Sequence, residues 1–355
     1  MRGVDLSIFR FHYDLTFCAL LMNADGATYH VYGGRDHEDA ERHLSLETLQ
    51  EALLAGLRRH RSRLAQGFPS PTPTEAKEGD LAESLPFIKA RMAKRPNDCI
   101  HCHTVTDALH EQRRARGTFT QEDLWQYPEP QKVGLVMDPE APHTVQAVLE
   151  DSPAAQAGIQ ADERLVTLQI SGVSPPPSTR MPSMSELGIH PLETFGDITH
   201  ALEAIPRKGG TFKLMVHGDD GPRSVQLVLA PGWRKQTPAE FAWRPALWRL
   251  RPQPGFGGPE LDAEQKKAHG LEEDAFAFRI QYLVTWGERA HVGRSARKAG
   301  LRKNDVVLSV GGKSDFESTA HFHAWFRFTR EEGETLKVEV LRGKKKLTLD
   351  LPVVP

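Results

Sequence analysis

No stretch of the chain approaches the roughly 20 consecutive apolar residues that a membrane-crossing helix needs. Neither sign of charge is in excess. The 45 Lys and Arg stand against 47 Asp and Glu, for a net charge of -2, and nothing in that balance points to nucleic acid as the main partner. The short basic run Lys344-Lys345-Lys346 lies between apolar alternations and reads as a solvated hairpin end. There is no Gly-x-Ser-x-Gly elbow and no protease-sized segment ahead of the C-terminal half, which sets a serine protease aside. Met1-Arg2-Gly3-Val4-Asp5 runs straight into the β-like Leu6–Phe11, without the roughly 7–15-residue apolar core of a signal peptide. Cysteine is scarce as well: there are three, and two of them fall inside the five residues CIHCH, 99–103.

Two cysteines two residues apart with a histidine directly behind form the pattern that attaches c-type haem. The spacing puts both thiols on one side of a helical turn, and the histidine falls under the ring as axial ligand to the iron. On this reading Cys99 and Cys102 are thioether anchors, and His103 is the iron ligand. A sixth ligand is not evident among Met92, His110 and Met137. Three alternatives stay open: a redox dithiol, a local disulfide or unreacted thiols, and a metal site using His101 as well. Because haem is attached outside the cytoplasm, the motif carries an expectation of extracytoplasmic location, and the missing signal peptide one that the true start lies upstream. Cys18, in an apolar run, reads as a small buried hydrophobe.

Length predicts two to four domains. A β-rich start carries the run Leu15–Met22, expected to be buried on both faces, and an Asn23-Ala24-Asp25-Gly26 hairpin turn. Ser45 caps a predicted helix from Leu46 to Leu64 whose leucines 46, 49, 53, 57 and 64 fall near helical spacing. From 131 onward the chain repeats itself: VQAVLEDSPAAQAGIQADERLVTLQISGV from Val145, and LVTWGERAHVGRSARKAGLRKNDVVLSVGGK from Leu283. Each copy reads as strand, short helix ended by Ala-Gly, strand, helix and two strands. In the first copy Ser152-Pro153 supplies an N-cap and a first helical proline.

The repeats resemble PDZ domains. That resemblance implies that an extended peptide adds as a strand beside a groove helix, its carboxylate held by backbone N–H groups of a loop often spelled Gly-Leu-Gly-Phe. Val133-Gly134-Leu135-Val136 is similar to that loop in the first copy; Ala275-Phe276-Ala277-Phe278 fills the slot without glycine in the second. The match places Gly134, Leu135, Val136, Ile198 and Leu202 in the first groove, and Ala277, Phe278, His321 and Trp325 in the second. His323 points elsewhere. The N-terminal piece resembles the second half of a thioredoxin fold, and the order of parts is similar to bacterial thioredoxin-like/PDZ proteins, some of them selenoproteins. The resemblance implies that the redox half precedes Met1.

The expected fold class is therefore multidomain α+β: a partial thioredoxin-like α/β segment followed by two PDZ-like small β-sandwich or barrel domains. The expected divisions are 1–66 (thioredoxin-like), 67–80 (linker), 81–130 (helical, with CxxCH), 131–232 (first copy, with a mobile insert at 175–192), 233–269 (Trp-rich connector, its Trp233, Trp243 and Trp248 docking it against a sheet) and 270–355 (second copy). The expected function is an extracytoplasmic adaptor that binds extended peptides, with a redox or haem c function attached. The alternative is a thiol or seleno-oxidoreductase whose catalytic half lies outside this chain.

Overall fold

The computed structural model describes residues 1–66, 78–173, 184–287 and 289–355. Most of the expected linker and the stretch 175–183 of the expected insert lie outside these residues. The chain is mixed α+β with several small antiparallel sheets, and it divides into two units, Met1–Lys235 and Gln236–Pro355.

The first unit opens with a hairpin, β1 (Cys18–Met22) against β2 (Thr28–Gly33). Gly26 turns it at a φ of 85°, a conformation that costs glycine little. Leu6–Phe11 is not a strand: the chain there is tied by an isolated bridge from Asp5 to Leu81. The residues of β1 are only half buried, so Leu15–Met22 is not sealed on both faces. Helix α1 (Leu46–Ala65) starts where Ser45 and Thr48 form a capping box. It buries Thr48, Ala52, Ala55 and Gly56, and its expected leucine face points outward, with Leu46 80% exposed and Leu53, Leu57 and Leu64 also exposed. Small residues let α1 lie close on β1 and β2, with Gly56 against the Leu21 side chain, and that close approach turns the leucines out. Helices α2 (Pro86–Lys94) and α3 (Cys102–Ala115) then pack around Ala82, Ile88, Ile100, Val105 and Ala108.

The first repeat copy completes this unit. Strands β3 (Leu135–Met137) and β4 (Val145–Val148) pair, and α4 (Pro153–Gln156) follows. Strands β5 (Arg164–Gln169), β6 (Ile189–Pro191), β7 (Gly210–Gly218) and β8 (Gly221–Leu229) form a sheet in the order β6-β5-β7-β8, and α5 (Phe195–Ala204) precedes β7. The end of the expected mobile insert is thus an ordered edge strand, β6, paired with β5. The apolar sides of α5 and of this sheet share one core.

The hairpin of the first 66 residues docks on α5. Asp197 accepts the Val31 backbone N–H at 2.8 Å and lies 2.8 Å from His30 Nδ1, with all three residues buried. The Thr194 hydroxyl donates to the Val31 carbonyl, and the His43 ring stacks on Phe195 at 3.8 Å. A Cβ at Gly196 would strike the Val31 carbonyl oxygen, so glycine permits this approach.

The second unit begins with α6 (Pro238–Phe241), β9 (Phe256–Gly257) and α7 (Ala263–Ala268). Then come β10 (Phe278–Arg279), β11 (Tyr282–Leu283), α8 (Ala290–Lys298), β12 (Val306–Val310), α9 (Thr319–Thr329), β13 (Thr335–Arg342) and β14 (Lys345–Pro352). Its sheet runs β10-β12-β13-β14, and β9 pairs with β11. Helix α9 buries Phe322 and Phe326 in a core with Phe256, Phe278, Val307, Val338 and Val340. The basic run sits at the turn from β13 to β14, where Lys346 pairs with Glu339 at 3.2 Å.

Asp197→Ala leaves the Val31 N–H and the His30 ring without their acceptor. Since each unsatisfied buried group costs roughly 1–3 kcal/mol, the variant is expected to lose about 3 kcal/mol. Urea unfolding, with protease cleavage within residues 1–66 as the second readout, checks it; an unchanged midpoint contradicts the docking role.

Candidate functional site

Helix α9 and the strand beside it form the candidate site of the second unit. The strand is not Ala277-Phe278 but the run Gly255-Phe256-Gly257-Gly258. Three observations place it there. Phe256 packs on the α9 residue Phe322 at 6.0 Å between ring centroids and on Phe278 at 6.1 Å. A Cβ at Gly257 would lie 3.2 Å from His323 Nε2 and 2.5 Å from the Tyr282 hydroxyl. Glu260 accepts the Thr319 N–H at 2.7 Å, at the start of α9. The strand therefore runs against the direction of the helix.

One edge of this run is bound. Val284 N–H donates to the Gly255 carbonyl at 2.8 Å, Gln281 N–H to Gly257 at 2.9 Å and Arg279 N–H to Pro259 at 3.0 Å. Among the described residues β9 pairs with β11 alone, so its other edge has no strand partner. Ala277 and Phe278 offer no such edge. Both are buried, and β10 lies between β12 on one side and the Pro259–Leu261 stretch on the other.

Helical phase decides which α9 side chains face the strand. Counting from its N-cap Ser318, His323 and Arg327 turn toward Gly255–Gly257, where they line a cavity of about 150 Å³ with Trp248, Gln253, Pro254, Tyr282, Val284 and Arg289. His321 and Trp325 are two positions out of phase, which is more than half a turn. They pack instead around Phe316, at 5.7 and 5.2 Å between ring centroids. The groove expected at His321 and Trp325 is thus on the opposite flank of the helix from the strand.

Burial, and then the neighbouring Arg327, push His323 well below the usual histidine range, so it is neutral at pH 7. Burial, and then Arg289, push Arg327 down to about 9. Trp248, Tyr282 and Trp286 are exposed aromatics, with Tyr282 and Trp286 6.0 Å apart. Trp248 thus lines the cavity, while Trp233, in the first unit, packs on the first-copy core.

The first copy has the same order of parts and a covered helix. Gly134, at a φ of 90°, ends a turn and leads into β3; a Cβ there would collide with the Ser152 side chain. Leu135 is buried and Val136 is half-buried, and β3 has no strand partner besides β4 among the described residues. Ile198 and Leu202 face the sheet as core residues, both nearly inaccessible. Thr199 and Glu203 stand five and nine residues after the N-cap Thr194, as His323 and Arg327 stand after Ser318. Glu203 is engaged by the chain itself: it accepts the Tyr127 N–H at 2.8 Å and pairs with Arg234 at 3.2 Å. Tyr127 in turn lies between the His12 and His200 rings.

In the CIHCH segment Cys102 is the first residue of α3, and Cys99 precedes the helix. Both thiols are free, Cys99 exposed and Cys102 partly buried, and the exposed His103 ring stacks on His101 at 5.6 Å. Among the described residues no group of three or more His, Cys, Asp or Glu is placed to hold a metal ion. Cys18, partly buried, has its thiol pushed up to about 12 by burial and by Cys102.

A family model described as a PDZ domain matches residues 291–353. A PDZ domain is found there. The match spans α8 to β14 and includes α9. No curated protein matches the chain.

The neutral His323 makes a pH prediction. Its folded value lies below the ordinary one, so the unfolded chain binds its proton first as pH falls. The stability it contributes is complete above about pH 6.5 and declines below that, by up to about 1.4 kcal/mol per pH unit. His323→Gln is expected to flatten the fall between pH 6.5 and 5 relative to the parent, as read by urea unfolding; identical slopes contradict the assignment.

Proposed function

We propose that the chain is an adaptor that binds extended peptide segments through the PDZ domain of its second unit. The observation that carries this reading is the edge of β9 beside α9, which has no strand partner among the described residues. Strand addition needs such an edge, because backbone hydrogen bonds supply the affinity while flanking pockets choose the side chains. Exposed Trp248 and Tyr282 line the cavity and exposed Trp286 lies 6.0 Å from Tyr282, adding aromatic surface of the kind that anchors a partner. The first copy has a similar element order. Its helix α5 is devoted to holding the N-terminal hairpin and the Tyr127 segment, so peptide capture belongs to the second copy.

A thiol function at residues 99–103 is a second reading, favoured by two unbonded thiols in one short segment with Cys102 at the start of a 14-residue helix. Haem c fits the same residues: the thiols of Cys99 and Cys102 are free to anchor it, and exposed His103 follows directly as the iron ligand. When bound it would supply one-electron redox chemistry, and it would place the protein outside the cytoplasm. The oxidoreductase alternative, with a thioredoxin-like first 66 residues, has the outward leucine face of α1 in its favour. The visible spectrum of protein made with haem-attachment machinery tests the haem: reduced α and β bands establish it, and a colourless product removes it.

For the peptide reading, hydrogen–deuterium exchange on the full chain with peptides selected from a random heptapeptide library is expected to show new protection at 255–260 and 318–329. Protection confined to other segments, or no binder from the library, overturns it.

A further inference from the structure

Arg327 has an unusual position for a guanidinium. It is 8% exposed, and among the described residues its hydrogen bonds go to His323 and not to a carboxylate. Its Nη1 donates to the His323 carbonyl at 2.9 Å and lies 3.2 Å from His323 Nδ1, and the Trp248 ring covers it at 5.5 Å. Its Nε is buried without any hydrogen-bond partner. The charged neighbour that bears on it most is another cation, Arg289. A buried cation without a counter-charge is costly, and proteins that keep one generally supply an anion. Arg327 lines the small cavity together with Pro254, Gly255 and Phe256. At about 150 Å³ that cavity admits an end group and not a drug-sized molecule.

We propose that Arg327 is the specificity-determining residue of this groove: its guanidinium receives a carboxylate of the incoming peptide. The inference rests on the peptide-binding reading and adds to it the side chain that receives the acid group, on the helix and not in the loop. Backbone N–H groups of a loop hold an anion by geometry alone. A guanidinium brought in from the groove helix adds a full charge and a planar pair of donors, which makes the site selective for acids. The first copy carries Glu203 at the matching position, already engaged by Tyr127 and Arg234, so this selectivity belongs to the second copy alone.

The test uses the full chain and the tightest heptapeptide from the selection, made as a free acid, as a C-terminal amide without acidic side chains, and as an amide with Glu at the last position. Fluorescence anisotropy is expected to show the acid binding at least tenfold more tightly than the neutral amide. Arg327→Gln is expected to bring the two within about twofold, and Arg327→Lys to keep part of the difference. If the Glu-bearing amide recovers the affinity, the side-chain carboxylate is the one received; if it does not, the chain end is. Thermal melts of both variants check that the fold is kept. Acetate titration followed at the Arg327 Nε–H resonance, with chloride as control, reads the site without any peptide, and a saturable shift specific to acetate is expected. An acid-to-amide ratio unchanged in Arg327→Gln, or the same shift with chloride as with acetate, overturns the proposal while leaving peptide binding at β9 intact. Failure of every peptide to protect 255–260 removes the peptide reading itself.

Discussion

The Phe256 ring, pinned between Phe278 below and Phe322 on α9, fixes the short strand on which the second unit depends. A strand of two residues has few ladder bonds of its own, so side-chain packing must hold it. Burying a phenylalanine is worth roughly 1.5–3 kcal/mol, enough to keep such a segment in place. The glycines on either side serve the same end. Gly257 leaves room for Tyr282 and His323 to converge over the backbone, and Gly255 passes close to the Val292 carbonyl in α8. A larger residue at either position would push the strand away from the helix and spoil the edge.

The two copies show how one element order acquires two uses. In both, a capped helix lays an apolar stripe on a four-stranded sheet. The difference lies in what meets the remaining faces of the helix. On α5, Asp197 and Thr194 seize the backbone of β2, and Glu203 takes the Tyr127 N–H. On α9 the flank that matches Glu203 carries His323 and Arg327, which face a cavity, while His321, at the position of Asp197, packs on Phe316. A helix bound to its own chain stabilises the fold. On α9 a cation without a carboxylate partner lies beside a strand edge that is unpaired among the described residues, which is the arrangement the proposed peptide would use.

Much of this was legible in the sequence. The Ala-Gly-ended short helices, the capping residues Ser45 and Ser152, and the Asn23–Gly26 turn all act through local chemistry and appear where the pattern puts them. The strand beside α9 was hidden because a 20-residue excursion containing α7 separates Gly257 from Phe278, so Gly255–Gly258 looks like connector. Its spelling, Gly-Phe-Gly-Gly, was the available signal. His321 and Trp325 share a helix face, but only packing tells which face meets the strand, and the structure sets them on Phe316 while His323 and Arg327 turn to Gly255 and Phe256. The leucines of α1 mislead for a related reason. Helical spacing identifies a face, and the small residues Ala52, Ala55 and Gly56 decide that the opposite face is the buried one. The thiols at 99 and 102 and the cover on α5 depend on tertiary contacts that no short window encodes.

The central claim is that Gly255–Gly258 lies against α9 with an edge to spare. Nuclear Overhauser contacts on the full chain read it directly. Cross-peaks are expected from the Gly257 Hα protons to the His323 ring and from the Phe256 ring to Phe322, together with solvent-exchanging amides on the edge of 255–258 away from β11. Contacts of His323 with residues 275–278 in place of Gly257 would contradict it.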